Sequence, residues 1–380
     1  MITSPSPTPP NGPARPSQGL WPRLRDAGKN AAHHLFLDKH AAFWLDQALP
    51  LHSFSRVQAR VVEVIDETHD TKTFVLEPNA HWTRHRAGQF VTVQVEVEGV
   101  YLQRCYSISS RPRAGRVSIT VKRVPGGRVS CELHDRIRRG SILRLSAPAG
   151  EFVLPYERPA RLLFIAGGSG ITPILSMIDE MAERTPNADA TLVYYCRSHN
   201  DVIGRALLER AALGMPNLRL HFVFGDSPGP RGFEETHLRA IVPDFAERLS
   251  FLCGPAGLMT LVEELWERED AIKNLSHERF AMPTPPLAPS APGEAAPVRV
   301  TLRRSGREVT ASTGETLLGQ LESAGERPPS GCRMGICQTC KCRKISGTVK
   351  NVITGVVSSE PNENIQLCIT TPSSDVELSL

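Results

Sequence analysis

Residues Ser330–Lys344 read SGCRMGICQTCKCRK, with Cys332, Cys337, Cys340 and Cys342 crowded into one short stretch. Three readings fit such crowding: four ligands of one zinc, a disulfide knot, or three ligands of an iron–sulfur cluster with one bystander and a fourth ligand elsewhere. Zinc sites made of four cysteines usually arrive as two short-spaced pairs on separate loops. Here the spacing is Cys332-x4-Cys337-x2-Cys340, and then Cys368 after 27 intervening residues. That is the plant-type [2Fe–2S] spacing, in which each iron takes two thiolates. Gly331 and Gly335 allow the backbone to curl closely, so that amide N–H groups can face the sulfides. A zinc knuckle would leave Cys368 unexplained.

Residues 298–380 around this stretch read as a hairpin (VRVTLRRSGREVTAS), a helix (GETLLGQLESAG), the cysteine loop and further strands. The segment resembles a plant-type ferredoxin domain, an α+β β-grasp fold, over its whole length, including the late strand IQLCIT that carries Cys368. The resemblance implies that Cys332, Cys337, Cys340 and Cys368 are the cluster ligands. Cys342 then stands two residues past a ligand, in extended chain, as a small buried apolar side chain.

Working outward, residues 282–297 contain six prolines and form a semi-rigid, extended linker. Before it, residues 158–281 alternate buried strands (RLLFIAGG, TLVYYC, LRLHFVFG, LSFLCG) with helical segments, the pattern of a doubly wound α/β parallel sheet. Residues 54–157 are short runs rich in Val, Ile and Thr, broken by turns and one helix near Ser130, which predicts an antiparallel β-barrel. Residues 21–53 read as a helical segment with Leu35, Phe36, Phe43 and Trp44 on an apolar surface, a candidate for docking a partner or a membrane face. Residues 1–20, rich in Pro, Ser and Gly, read as disordered.

Charge and cysteine usage narrow the classes. The 44 basic residues are nearly matched by 40 acidic ones, which gives no case for nucleic acid. Cys105, Cys131, Cys196 and Cys253 are scattered singly, unlike a disulfide framework, and point to a reduced, cytoplasmic protein. No signal peptide and no run of about 18 apolar residues is present, so no transmembrane helix is expected.

Four elements upstream carry binding chemistry. In RCYSISS, Arg104 offers a fork for a phosphate, Tyr106 a flat ring for stacking, and Ser107 a hydroxyl. In PGGRVS, Gly126 and Gly127 let backbone amides approach a pyrophosphate at a helix N-terminus, with Ser130 one turn on. In FIAGGSGITP, a buried strand runs through Gly167, Gly168 and Gly170 into a helix near Thr172, the arrangement for a dinucleotide at the carboxyl end of a parallel strand. In FLCGPAGLM, Cys253, Gly254 and Pro255 close the domain's last strand beside the same crevice.

These elements occur in the order of the ferredoxin–NADP reductase superfamily, which residues 54–275 resemble throughout. The resemblance implies that Arg104, Tyr106 and Ser107 bind a flavin, with Tyr106 stacked on it and Ser107 near its reactive nitrogen. It implies that Gly127 and Ser130 hold the flavin pyrophosphate, and that Gly167, Gly168, Gly170 and Thr172 bind the nicotinamide dinucleotide. Cys253, Gly254 and Pro255 would border the nicotinamide, and Phe280, in HERF, would cover the flavin's other face or simply anchor the linker. Tyr106, Ser107 and Cys253 are thus the residues expected at the reacting atoms. The PGGRVS turn, a seat for a diphosphate, favours FAD over FMN, with Phe152 a candidate adenine contact. Arg197 and Ser198, after the second strand of the nucleotide domain, suit a 2′-phosphate and favour NADPH over NADH.

A nicotinamide gives up two electrons as hydride, a [2Fe–2S] cluster takes one at a time, and a flavin handles both. The resemblance therefore implies an NAD(P)H-dependent oxidoreductase that passes electrons to a redox partner, either an oxygenase, a hydroxylase or, from the two chain ends, a membrane fatty-acid desaturase. Two rival readings are a redox sensor that binds a regulator and a stand-alone flavin reductase.

Overall fold

The computed structural model describes residues 56–380 apart from 98, 114, 157–160, 230–231, 281–296, 332, 334, 336 and 337. Residues 21–53, expected to be helical, most of the linker, and the expected ligands Cys332 and Cys337 therefore lie outside the described residues.

The first layer is a six-stranded antiparallel sheet in the order β4-β3-β6-β1-β2-β5. Its strands are β1 (Val57–Thr68), β2 (Thr71–Pro78), β3 (Phe90–Val97), β4 (Val100–Ser107), β5 (Val117–Lys122) and β6 (Ile142–Leu145). An isolated bridge between Ile108 and Ile119 joins its two ends, so the sheet closes into the expected barrel. The inward side chains, Val61, Phe74, Val91, Val93, Ile108 and Ile119, have no solvent exposure. Helix α1 (Arg128–Arg136) adds Val129 and Leu133 to that core. Burying Leu133 alone contributes about 2–3 kcal/mol.

The second layer is a five-stranded parallel sheet in the order β11-β10-β7-β8-β9. It comprises β7 (Arg161–Gly167), β8 (Asp189–Cys196), β9 (Leu218–Phe224), β10 (Leu249–Cys253) and β11 (Leu275–Glu278). Strand β7 is buried from Leu162 onward because both sheet faces are covered. Leu162 and Phe164 pack toward α2 (Ile171–Arg184) and α3 (Arg205–Gly214). Leu163 and Ile165 pack toward α4 (Glu235–Ile241) and α5 (Ala256–Arg268), where Trp266 is fully buried. One expectation is corrected here: β10 is not the last strand, because β11 continues the sheet in parallel with it. Phe152 is also reassigned. It packs edge-on against Phe251 at 5.5 Å inside the core, which removes it from any adenine contact.

The third layer is the small α+β domain, a mixed sheet in the order β13-β12-β19-β14-β17. Its strands are β12 (Pro297–Leu302), β13 (Arg307–Ser312), β14 (Lys341–Ser346), β17 (Glu363–Gln366) and β19 (Val376–Leu378). Pro297, assigned above to the linker, opens β12. A three-stranded sheet of β15 (Val349–Asn351), β16 (Val357–Ser358) and β18 (Thr370–Pro372) lies in the same domain. Helix α6 (Leu317–Ser323) is capped by the Thr316 hydroxyl, which accepts from the Gly319 N–H at 3.3 Å. Its Leu317, Leu318 and Leu321 fill the core that also contains Cys340, Cys342 and Cys368.

Candidate flavin, nucleotide and iron–sulfur site

Strand β4 runs along the barrel edge and delivers Arg104, Tyr106 and Ser107 to one cavity of about 400 Å³. Gly127 and Ser130 from the start of α1, Thr172 from α2, and Phe280 beyond β11 line the same cavity. Four segments that are distant in sequence thus converge on one cavity. Tyr106 is half-buried, and desolvation raises its phenol above its ordinary range. An aromatic face, a hydroxyl, an arginine and a glycine turn together fit a flavin nucleotide.

Ser130 and Arg104 have partners the sequence did not reveal. The Ser130 hydroxyl donates to the Gly127 carbonyl at 3.1 Å and accepts from the Val124 N–H at 3.1 Å. It therefore shapes the PGGRVS turn. Arg104 donates through Nη1 to the Gly331 carbonyl at 3.0 Å and to the Gln103 carbonyl at 2.8 Å. Gly331 immediately precedes Cys332, so a cavity-lining arginine of the barrel touches the cysteine loop.

The glycine turn after β7 is tight for a steric reason. A Cβ on Gly170 would lie 2.1 Å from the Cys253 carbonyl oxygen, and one on Gly167 would lie 2.6 Å from Pro255 Cδ. The two loops at the carboxyl ends of β7 and β10 are thus pressed backbone to backbone, as a dinucleotide crevice requires. Gly254 takes part from the other side, 3.5 Å by its Cα from the Gly167 position. Gly168 adopts φ +52°, and its carbonyl accepts from the Tyr194 hydroxyl at 2.9 Å. The Thr172 hydroxyl donates to the Ser169 carbonyl at 3.0 Å, closing the turn onto the helix.

Arg197 and Ser198 sit past the end of β8 and are engaged by carboxylates. Arg197 Nη2 donates to Asp201 at 2.7 Å and to Asp70 of the β1–β2 turn at 3.1 Å. The Ser198 hydroxyl donates to the other oxygen of Asp201 at 2.7 Å. Burial favours protonation of Asp70, but the Thr68 and Thr71 hydroxyls and Lys122 outweigh it and hold the carboxyl down at about 2.

Glu278 is the functional candidate that the sequence reading missed. It ends β11, opposite Cys253 of β10, and lines the flavin cavity. The Ser107 hydroxyl donates to its carboxylate at 3.4 Å. Burial pushes the Glu278 carboxyl up to about 7, with the Ser107 hydrogen bond acting in the opposite sense. Cys253 has no solvent exposure, and burial, with the Glu278 charge nearby, keeps its thiol neutral. Ser107, Glu278 and Cys253 thus bring a hydroxyl, a near-neutral carboxyl and a thiol to the junction of barrel and nucleotide domain. The available signal was HERF itself, but LSHE is too short and too polar to register as a strand.

In the cysteine loop, the Cys340 and Cys368 sulfurs lie 3.2 Å apart, and both residues are buried. The Gly335 N–H donates to Cys368 Sγ at 3.3 Å. Two converging thiols with a backbone amide aimed at one of them fit an iron–sulfur cluster. Cys342 is buried in the hydrophobic core on β14, where burial raises its thiol pKa, in keeping with a bystander role.

Family models agree with this division. Residues 58–154 match the oxidoreductase FAD-binding domain, residues 164–264 the oxidoreductase NAD-binding domain, and residues 300–373 the 2Fe-2S iron-sulfur cluster binding domain. An NADPH oxidoreductase of Mycobacterium tuberculosis is 33% identical over 95% of this chain and 93% of its own length. The chain belongs to the ferredoxin–NADP reductase superfamily, in the branch fused to a C-terminal plant-type [2Fe–2S] domain. Its cofactors are FAD and a [2Fe–2S] cluster, and it is an NAD(P)H-dependent oxidoreductase. The glycine betaine monooxygenase reductase subunit of Pseudomonas aeruginosa is 35% identical over 83% of this reductase and 93% of that relative. Phthalate dioxygenase reductase has the same fold, with a TM-score of 0.59 at 24% identity over 85% of this chain and 97% of its own.

Proposed function

We propose that this reductase draws electrons from NADPH and delivers them singly to a separate oxygenase-type enzyme, with a membrane fatty-acid desaturase as the specific candidate. When bound, FAD accepts hydride and the [2Fe–2S] cluster passes single electrons onward. The observation that carries the reading is the hydrogen bond from Arg104 to the Gly331 carbonyl, which joins the flavin cavity to the cysteine loop. A chain that only reduced free flavin would have no use for that junction. Tyr106 and Phe280 enclose the ring site, and Ser107 with Glu278 governs a proton beside it. The Gly167–Thr172 turn, packed on Cys253–Pro255, holds the dinucleotide. The reductase role of the P. aeruginosa relative supports an oxygenase as acceptor.

NADPH is the favoured donor because a 2′-phosphate at the end of β8 competes with Asp201 for Arg197 and Ser198, both hydrogen-bond donors. The desaturase assignment rests on the character of the two chain ends, of which residues 21–53 offer a docking segment. The test replaces one ligand. In reconstituted Cys368→Ser protein, ferricyanide reduction by NADPH should stay within about twofold of the parent, while reduction of cytochrome c should fall at least about a hundredfold. Equal loss of both activities, or of neither, contradicts the proposed route.

A further inference from the structure

The cysteine loop has two flanks. One is held by Arg104 through the Gly331 carbonyl. The other is covered by the hairpin between β15 and β16. A Cβ placed on Gly335, whose N–H donates to Cys368 Sγ, would sit 3.5 Å from Ile353 Cδ1. The Val352 N–H donates to the Ile369 carbonyl at 2.9 Å, tying the hairpin to the residue after Cys368. Ile353 therefore rests on the shoulder of the cluster loop.

This hairpin is held by its own hydrogen bonds and is apolar at once. Asn351 organises it. Its side-chain oxygen accepts from the Ile353 and Thr354 N–H groups at 2.9 and 3.1 Å, and its carbonyl accepts from the Gly355 N–H at 2.9 Å. The backbone is thus satisfied locally, and the side chains are left facing water. Ile353 is 52% exposed, Val356 60% and Val357 58%. Three branched aliphatic side chains held outward on a fixed loop form the type of patch that marks an interaction site.

Charge identifies the kind of partner. From Gly331 to Ser358 the chain carries Arg333, Lys341, Arg343, Lys344 and Lys350 and no acidic residue, although the whole protein is almost balanced. Lys344 is buried and satisfied by the Gly347 and Ser358 carbonyls, whereas Lys341, Arg343 and Lys350 are exposed. Lys350 pairs across the hairpin with Val357, so the two share a sheet face. An apolar centre beside cations, adjoining the cluster loop, is complementary to an apolar patch ringed by carboxylates.

We infer that the 352–357 hairpin, with Lys350 beside it, is the docking surface for the electron-accepting protein, whose matching face is apolar and acid-rimmed. The inference rests on the proposed electron route, and it adds a direction: electrons enter the cluster from the Arg104 flank and leave past Ile353. Each transfer moves one electron from the reduced cluster to an oxidised acceptor, with no bond made or broken.

The probe is plastocyanin, a one-electron acceptor that presents an apolar face beside carboxylates. Full-length holoprotein is compared with a Val356→Ser/Val357→Ser double variant and with Lys350→Glu. Reduction of plastocyanin by NADPH should fall about tenfold in each variant and should slow with added salt in the parent. Ferricyanide reduction and the rate of cluster reduction by NADPH, followed anaerobically, should be unchanged. Unchanged plastocyanin rates alongside normal cluster reduction overturn the docking surface and leave the electron route standing. Slower cluster reduction in the variants also overturns it, because the hairpin would then serve the protein's own flavin barrel. Failure of NADPH to reduce the cluster in the parent overturns the route itself.

Discussion

Glu278 and Gly170 are where single side chains decide the most. Glu278 has a folded-state pKa raised from 4.5 to about 7 by burial. Its protonated form therefore favours the fold. The stabilisation is complete below the unfolded value and is lost as pH rises through about 7. In cofactor-free protein, the parent should lose stability relative to Glu278→Gln between about pH 5 and pH 8, as measured by denaturant midpoints. A flat difference across that range would mean that the carboxyl is not held neutral. Gly170 tests the crevice. Its φ of −62° suits any residue, so only the 2.1 Å approach to the Cys253 carbonyl forbids a side chain. Gly168, at φ +52°, has open space around a Cβ and is constrained by backbone conformation alone. Gly170→Ala should cost about 3 kcal/mol or more, against roughly 1–2 kcal/mol for Gly168→Ala, in chemical denaturation. Equal costs would contradict the packed-loop account.

At the scale of elements, the β1–β2 turn and the segment after β8 meet through ion pairs. Asp70 takes Lys122 from its own barrel at 3.3 Å and Arg197 from the nucleotide domain at 3.1 Å. Arg197→Ala should lower kcat/KM for NADPH about tenfold and leave that for NADH within about twofold, consistent with loss of one charge-assisted bond. Parallel losses for both coenzymes would make Arg197 a structural tie only. The same elements show what the sequence could reveal. Strand β7 was legible because seven consecutive residues leading into a glycine turn admit few readings. The Cys340–Cys368 pairing was legible because ligand spacing is a chemical constraint. Strand β11 was not, since four residues of mixed polarity carry no period, and with it went Glu278. The Asp70 carboxylate on Arg197 was hidden as well, because it is more than a hundred residues away in sequence. Phe152 misled for the converse reason: a phenylalanine after a glycine turn reads equally well as a ligand contact or as core.

For the whole molecule, the chain runs barrel, nucleotide layer, cysteine domain, whereas electrons pass in the order dinucleotide, flavin, cluster. The bond from Arg104 to Gly331 makes that order spatial, because it joins a residue of the flavin cavity to the position before Cys332. Among the described residues, no helix is long and apolar enough to cross a membrane. The most direct test is anaerobic rapid mixing of reconstituted full-length protein with NADPH, following flavin absorbance together with the paramagnetic resonance of the reduced cluster. Flavin absorbance should fall first, and the cluster signal should then rise at its expense. A cluster that stays oxidised while the flavin is fully reduced would contradict the account.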